Sequence, residues 1–599
     1  MNQKSPLELV LSISFASAAS LPALRRPDGG AVPYISGSTL KGAIKVVAER
    51  ILDLNEIVHC SGSERLESCE SKPCLICSLF GHRLFPGKIV FEGGTLLPAS
   101  ETGAAELQRK SRTRAETVRA FAPQTFTARL VALYPLTTDE EQLLLMALGT
   151  IRTLGGGKTQ GLGFCSIEVE KKESKVTEAL PKVEALEGEG SEIGIILVAE
   201  GPICIAKSPA GKWYRESLHY LPGAAIKSAF HDQLNRLEHL GVVGTEMVNA
   251  FLAPSVSFSD CLPVGCSDTV PPQSERQPLE LPFVLPYSAT SPTSDLGNWG
   301  DGEPPDTLIR RFVLSECHHS GFPYVVGRAS TKRVFDQVVR SDSHTVWRDQ
   351  LVFVPSDVAS FCPVERLSKR SAPEYRHSVS FMHPHTVFAG TIRKLRPVAK
   401  EALKRLATEK LSVGALRSRG FGRLSLAIVQ PPVRPDISRA VGLFNEAIES
   451  ELKRWGRAWD GVSSISSDIE KDGRVFFSIG LLSDLMLPKW TFWDGSEATP
   501  FEKLLSEAGI PAQEVLPFWK FGAKGGWNAA CQAPHGLTAI IRRGSVCLFE
   551  TRVPEVAKQE GLYAKLENIQ DTGLGLRTGD GFGAIAVCSA FHTMGYLDS

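Results

Sequence analysis

The chain has 599 residues, 43% of them apolar and 22% charged, with 66 Lys and Arg balanced by 66 Asp and Glu. That length predicts about three to four domains with sizeable cores, and the composition excludes a mainly disordered chain. A net charge of zero argues against free-standing, non-specific nucleic-acid binding, while leaving room for a local basic groove.

At the N-terminus, Met1–Pro6 has neither the basic nor the apolar region of a signal peptide. No apolar run reaches the roughly 20 residues that span a bilayer. Thirteen cysteines in such a chain read as the reduced thiols of a cytoplasmic protein. Residues 7–15 alternate in part and predict a strand. A polar connection holding Asp28 follows, and Ser36 or Ser38 offers an N-cap for an amphipathic helix running to about Leu54. With Gly37 at that start and Lys41 and Lys45 nearby, its amides would suit a phosphate. An ordinary capped helix with a solvated basic face explains the same residues.

Next comes a cysteine cluster: His59-Cys60, Cys69 and Cys74-Leu75-Ile76-Cys77. Soft thiolates at this spacing suit a closed, tetrahedral structural zinc site held by Cys60, Cys69, Cys74 and Cys77, with His59 as an alternative ligand. Cys261 and Cys266 with Cys317-His318-His319 form a looser second set. The densest basic run spans 109–119, with Arg112, Arg114 and Arg119, before a predicted strand at 125–133. Arg328 and Arg333 belong to a similar segment before a predicted strand near 388–392. Alone, such runs are usually solvated surface.

A predicted helix, 138–154, leads into Gly155-Gly156-Gly157-Lys158-Thr159-Gln160-Gly161-Leu162-Gly163, and a predicted strand, 164–169, leaves it. The loop resembles a nucleotide-binding P-loop, but that motif needs glycine at position 152, which holds Arg152, and it runs from strand to helix. The element recurs. A helical stretch, 398–411, precedes a loop with Arg417, Arg419, Gly420 and Gly422, then a strand at 424–429. A third loop carries Arg577, Gly581 and Gly583 before the apolar run 584–588. Three copies make an internal repeat, and glycines let backbone amides come close to a polyanion. The opening strand and helix also recur, as 193–198 followed by 220–230, and the third unit opens at 475–482.

The expected organisation is a first domain at 1–172, a linker at 173–191, a second unit at 192–432 with an insertion at about 262–306, a helical connector at 433–473 and a last unit at 474–599. No triad order, paired-carboxylate motif or dinucleotide fingerprint stands out.

Ile35-Ser36-Gly37-Ser38-Thr39-Leu40-Lys41-Gly42, Cys77-Ser78-Leu79-Phe80-Gly81 and the loop ending Gly161-Leu162-Gly163 resemble the RAMP superfamily of CRISPR effector subunits. Residues 1–170 are similar to Cas-seven-like backbone members of type III complexes, including their zinc-bearing insertion. From about 192 onward the chain resembles the type III-D Cas-five-like subunit (the Csx-ten group), through Gly525-Gly526-Trp527-Asn528, 543–549 and the third glycine loop. The resemblance implies an α+β fold of several modified ferredoxin-like domains with antiparallel sheets. It also implies binding of crRNA and target RNA, and assembly with a large polymerase-like subunit and with backbone and small subunits, away from membranes. Lys158, Arg417, Arg419, Arg423 and Arg577 would then meet phosphates without reading bases. Target-cleaving members carry an Asp in the loop before the first helix, to assist a divalent cation. The gapless equivalent, at about Ser20–Pro22, holds no acid, and Asp28 is the sole carboxylate in the loop. The reading is therefore a binding subunit. The alternative is an endoribonuclease using Asp28 on target RNA, or a histidine such as His59, His377 or His592 to process crRNA.

Overall fold

The computed structural model describes residues 7–19, 21, 23–25, 31–60, 69, 73–81, 87–96, 104–110, 115–121, 123–155, 161–173, 186, 192–207, 214–253, 256–266, 278–289, 306–319, 345–347, 350–352, 354–361, 377–456, 473–489, 498–528, 533–552, 556–594 and 596. Within it the same order of elements, βαββαβ, is laid down three times.

The first set is β1 (Leu7–Phe15), α1 (Gly37–Leu54), β2 (Ile89–Phe91), β3 (Thr125–Ala132), α2 (Thr138–Thr150) and β4 (Cys165–Glu173). The second is β5 (Ile193–Ala199), α3 (Gly223–His239), β6 (Ser257–Phe258), β7 (Thr386–Arg393), α4 (Pro397–Ala407) and β8 (Arg423–Val429). The third is β9 (Arg474–Leu481), α5 (Pro500–Glu507), β10 (Gln513–Phe518), β11 (Val546–Arg552), α6 (Val556–Thr572) and β12 (Ile585–Val587). The sheets run β2-β3-β1-β4, β6-β7-β5-β8 and β10-β11-β9-β12, all antiparallel. This is the ferredoxin-like arrangement: the first strand of each set lies in the middle, and both helices cover one face.

The pattern of burial explains the layering. In β1, Leu9, Leu11, Ile13 and Phe15 alternate inward onto α1 and α2, where Leu40, Ile44, Ala48, Leu144 and Leu148 meet them. Equivalent cores form around Leu197, Phe230 and Phe388, and around Phe477, Phe501 and Phe549. β7 is buried along seven of its eight residues because its second face is also covered, by Val264 and Leu279 from the 262–306 stretch. That stretch was expected to be a loop or insertion. Its start is a strand instead, Leu262–Cys266, paired with β7 through a bulge. The helix before the first glycine loop ends at Thr150 rather than Leu154, because Ile151 turns extended. The predicted helical connector holds a helix, Ile437–Gly456, whose Phe444 and Ile448 pack into the third core. Among the described residues no helix is long and apolar enough to cross a membrane.

Candidate nucleic-acid interface

Each glycine loop leaves the second helix of its set and returns to the last strand, and the described residues of the three are built alike. Glycines stand at equal spacing, at 155, 161 and 163, at 414, 420 and 422, and at 575, 581 and 583, all with φ between 67° and 91°. That left-handed region strains any residue with a Cβ. The last glycine also lies against its own loop. A Cβ there would come within 2.0 Å of Leu154 O at Gly163, and within 1.8 Å of Val413 O at Gly422 and of Leu574 O at Gly583. The hydrogen bonds repeat too. Leu154, Val413 and Leu574 each donate to the carbonyl of that last glycine at 2.8–2.9 Å. The glycine amides donate in turn to Ala18 O, Pro202 O and Asp484 O at 2.8–2.9 Å.

The second and third loops each dock onto the first helix of the preceding set. At the first junction, a Cβ on Gly37 would meet Phe91 O at 2.0 Å and Arg419 O at 2.5 Å, and one on Gly420 would meet Phe91 O at 2.7 Å. Lys41 Nζ donates to Ser418 Oγ at 2.9 Å. Arg423, at the start of β8, pairs with Glu92 and Glu200. At the second junction, a Cβ on Gly223 would meet Phe258 O at 2.4 Å and Asp580 O at 3.1 Å, and one on Gly581 would meet Phe258 O at 2.7 Å. Ser257 Oγ donates to Thr578 O at 3.1 Å. The amide of Gly223 donates to Asp260 at 2.9 Å, closing the α3 start. Burial pushes the Asp260 carboxyl up to about 6, against the pull of that amide, Arg543 and Lys524.

The charges differ at otherwise matching places. At the second junction Lys227 meets Asp580 at 3.1 Å. At the first, Lys41 stands where Lys227 does, four residues after the helix-opening glycine, and Arg419 stands where Asp580 does, one residue before the middle glycine of its loop. Lys41 is driven down to about 8, chiefly by burial and then by the charges of Arg419 and Lys45. The second junction pairs a lysine with a carboxylate; the first sets Lys41, Lys45 and Arg419 near one another, with Glu49 3.9 Å from Lys45.

The other expected RNA-binding residues are distributed as follows. Ser36 is the N-cap of α1, accepting from Thr39 N, and its hydroxyl also bonds Ser38 and Thr39. Arg417 pairs with Asp232 at 2.6 Å, and Arg577 with Asp580 at 2.9 Å. Arg423, expected to meet phosphate, is instead committed to the carboxylates of Glu92 and Glu200, and burial lowers it to about 10. Arg119 lies on a hairpin, Ala104–Lys110 with Ala115–Phe121, at the register position opposite Glu106. Arg112, Arg114, Gly156, Gly157, Lys158, Arg328, Arg333 and Asp28 lie outside the described residues. His592 is buried at 2% exposure and bonded to Asp306, equally buried, so it cannot reach an RNA as a general base. His59 faces Ile57 O at 3.0 Å and Asp53 at 3.6 Å. Sequence reasoning did not single out Ser418, Asp260 or the Lys227–Asp580 pair. The one available signal was lysine four residues after the helix-opening glycine in both α1 and α3.

Cys60, Cys69, Cys74 and Cys77 converge, their sulfurs all within 4.8 Å of one another. Cys77 sits in a short helix, Leu75–Phe80, whose Ile76, Leu79 and Phe80 pack into the first core, while Cys60 follows α1. The amide of Cys60 donates to Cys74 Sγ at 3.4 Å and that of Cys74 to Cys69 Sγ at 3.2 Å. Four sulfur donors with amides aimed at two of them fit a soft, four-coordinate metal ion. His59 is outside the set. Of the looser second set, Cys261 is buried with its sulfur against Gly390, and the side chains of Cys317, His318 and His319 lie outside the described residues.

No curated protein matches the chain. Among solved structures, a chain titled "Type IV-B CRISPR Complex" aligns at 16% identity over 29% of this chain and 94% of that one, with a TM-score of 0.22, too low to carry an argument. The family model described as "RAMPs: RAMP superfamily" matches residues 19–166, from the loop after β1 into β4. This chain therefore carries a RAMP-superfamily domain in its first ferredoxin-like set.

Proposed function

We propose that the protein is an RNA-binding structural subunit of a CRISPR effector complex of type III, resembling type III-D. In this reading it holds the 5′ handle of the crRNA and starts the backbone filament along the spacer. The observation that carries the reading is the charge difference between the two junctions. The same loop-on-helix contact sets Asp580 against Lys227 in one place and sets Arg419 near Lys41 and Lys45 in the other, with Glu49 3.9 Å from Lys45. Cations held this close repel one another, a phosphate backbone would relieve that repulsion, and RNA is the polyanion a RAMP subunit would meet. The four-cysteine cluster supplies structure in this scheme: a zinc ion there would tie the end of α1 to the helix Leu75–Phe80.

The test is RNA retention by the full chain. With Lys41→Ala and Arg419→Ala combined, co-purifying RNA is expected to dissociate at lower salt. The slope of log affinity against log salt should become shallower by about 1.4 for two lost single-strand phosphate contacts. Lys227→Ala with Arg577→Ala removes the two cations that Asp580 already holds and is expected to leave the slope unchanged. Equal retention and slope in both double variants would exclude the first junction as an RNA site.

A further inference from the structure

Gly155, Gly161 and Gly163 of the first glycine loop share the spacing and left-handed φ of the other two loops, but among the described residues no neighbour lies against Gly161. A Cβ added at Gly161 meets nothing within 4 Å, whereas one at the equivalent Gly420 or Gly581 runs into the Phe91 or Phe258 carbonyl of the preceding set. Gly161 is exposed, Gly420 and Gly581 are buried, and Phe164 beside the loop is 49% exposed. Among the described residues there are two loop-on-helix contacts and a third set of loop glycines with the same spacing and left-handed φ and an open face.

We propose that the face formed by Gly161, Leu162 and Phe164 receives the first turn of a helix from a different chain, one that opens with glycine and carries lysine four residues later. This rests on the reading of the protein as a complex subunit, and names the kind of partner its open end takes. The occupant follows from the two filled contacts, in which Gly37 with Lys41 and Gly223 with Lys227 play that part. A second copy of this chain cannot supply it, because both of those helix starts are already covered by the chain's own loops. The remaining first helix, α5, opens with Pro500 and has Leu504 where the lysine would stand. Its start is closed by a capping box of Thr499 and Glu502, with Thr499 Oγ1 also donating to Glu514 at 3.0 Å. The series of contacts can thus be extended past the first set and not past the third.

The experiment places a photo-crosslinking benzoylphenylalanine at Leu162 in the full chain, within the ribonucleoprotein complex it purifies with, and maps the cross-linked peptides by mass spectrometry. The expected product joins Leu162 to another chain, in a segment with the Gly-x-x-x-Lys pattern at a helix start. Gly161→Asn keeps a residue that tolerates left-handed backbone but adds a side chain. It is expected to cut that product about tenfold or more, as overpacking at a close contact does. Cross-links confined to this chain, or to segments without the pattern, would overturn the proposal, as would an undiminished product in Gly161→Asn. Repeating the mapping after ribonuclease treatment separates this contact from RNA tethering. The RNA-retention test probes the other junction, so either reading can fail alone.

Discussion

Two glycines on one helix should respond oppositely to the same substitution. In α1, Gly37→Ala puts a Cβ 2.0 Å from Phe91 O and 2.5 Å from Arg419 O, both backbone atoms that cannot swing aside. Either the helix start moves away from β2 or the second glycine loop is pushed off. Overpacking of this kind costs about 1–3 kcal/mol. Gly42→Ala, one turn further on, meets nothing within 4 Å and replaces a poor helix former with the best, a gain of up to about 1 kcal/mol. Urea unfolding followed by intrinsic fluorescence, with limited proteolysis to report release of the second set, reads both. Gly37→Ala is expected to lower the first transition and open new cleavage sites; Gly42→Ala should raise the transition or leave it in place. If the two variants are indistinguishable, the docking of loop on helix is not tight, and the repeated-junction reasoning fails with it.

Three further outcomes follow from charge and metal. Lys41 has a folded pKa of about 8, below its ordinary 10.5, so its charged form costs the folded state and stability should rise between pH 8 and 10.5. A bound phosphate favours the charged form, so RNA affinity should fall as pH rises from 7 to 9, and Lys41→Arg, which stays charged, should flatten the profile. Asp260 has the opposite shift for an acid, up to about 6, so its ionised form costs the folded state. Stability should fall by up to about 3 kcal/mol as pH rises from 4 to 6, and Asp260→Asn, which can still accept from the Gly223 amide, should remove that slope in thermal melts. Elemental analysis of chelator-free protein should find about one zinc per chain, and Cys74→Ser with Cys77→Ser should abolish it while loosening the first set in hydrogen exchange.

The repeat was legible because its signal is backbone-encoded. Glycine takes the left-handed region without the strain a Cβ brings, as Leu416 and Arg577 accept it in two of these loops, so equal glycine spacing survives while the intervening residues change from Lys-Thr-Gln to Arg-Ser-Arg to Thr-Gly-Asp. The cysteines were legible for a similar reason: few arrangements other than a metal site bring four thiols together between a helix end and a short helix. What the sequence could not show is which partner each glycine serves. Close approach to a polyanion and close approach to a neighbouring carbonyl demand the same missing Cβ, and only the folded chain brings Gly37, Gly223, Gly420 and Gly581 against protein backbone. The basic residues divided for the same reason. Arg423 and Arg577 look alike in a string of letters, yet one is half-buried among carboxylates of two sets and the other pairs within its own loop.

This division bears on how one chain can be both scaffold and RNA site. If the glycines make the junctions and the cations occupy them, the two properties vary independently. A loop can keep its docking backbone while position 419 or 580 is set to Arg or Asp. Exchanging those charges tests the separation directly. In Arg419→Asp, Lys41 gains the partner that Lys227 already has, so the first junction should be stabilised and should lose RNA. In Asp580→Arg, the second junction should be destabilised, and new phosphate binding should appear there. Swapped RNA footprints with both junctions still protected from proteolysis are the expected result. Loss of the junctions along with the RNA would mean that charge and docking are one property, and would refute the separation.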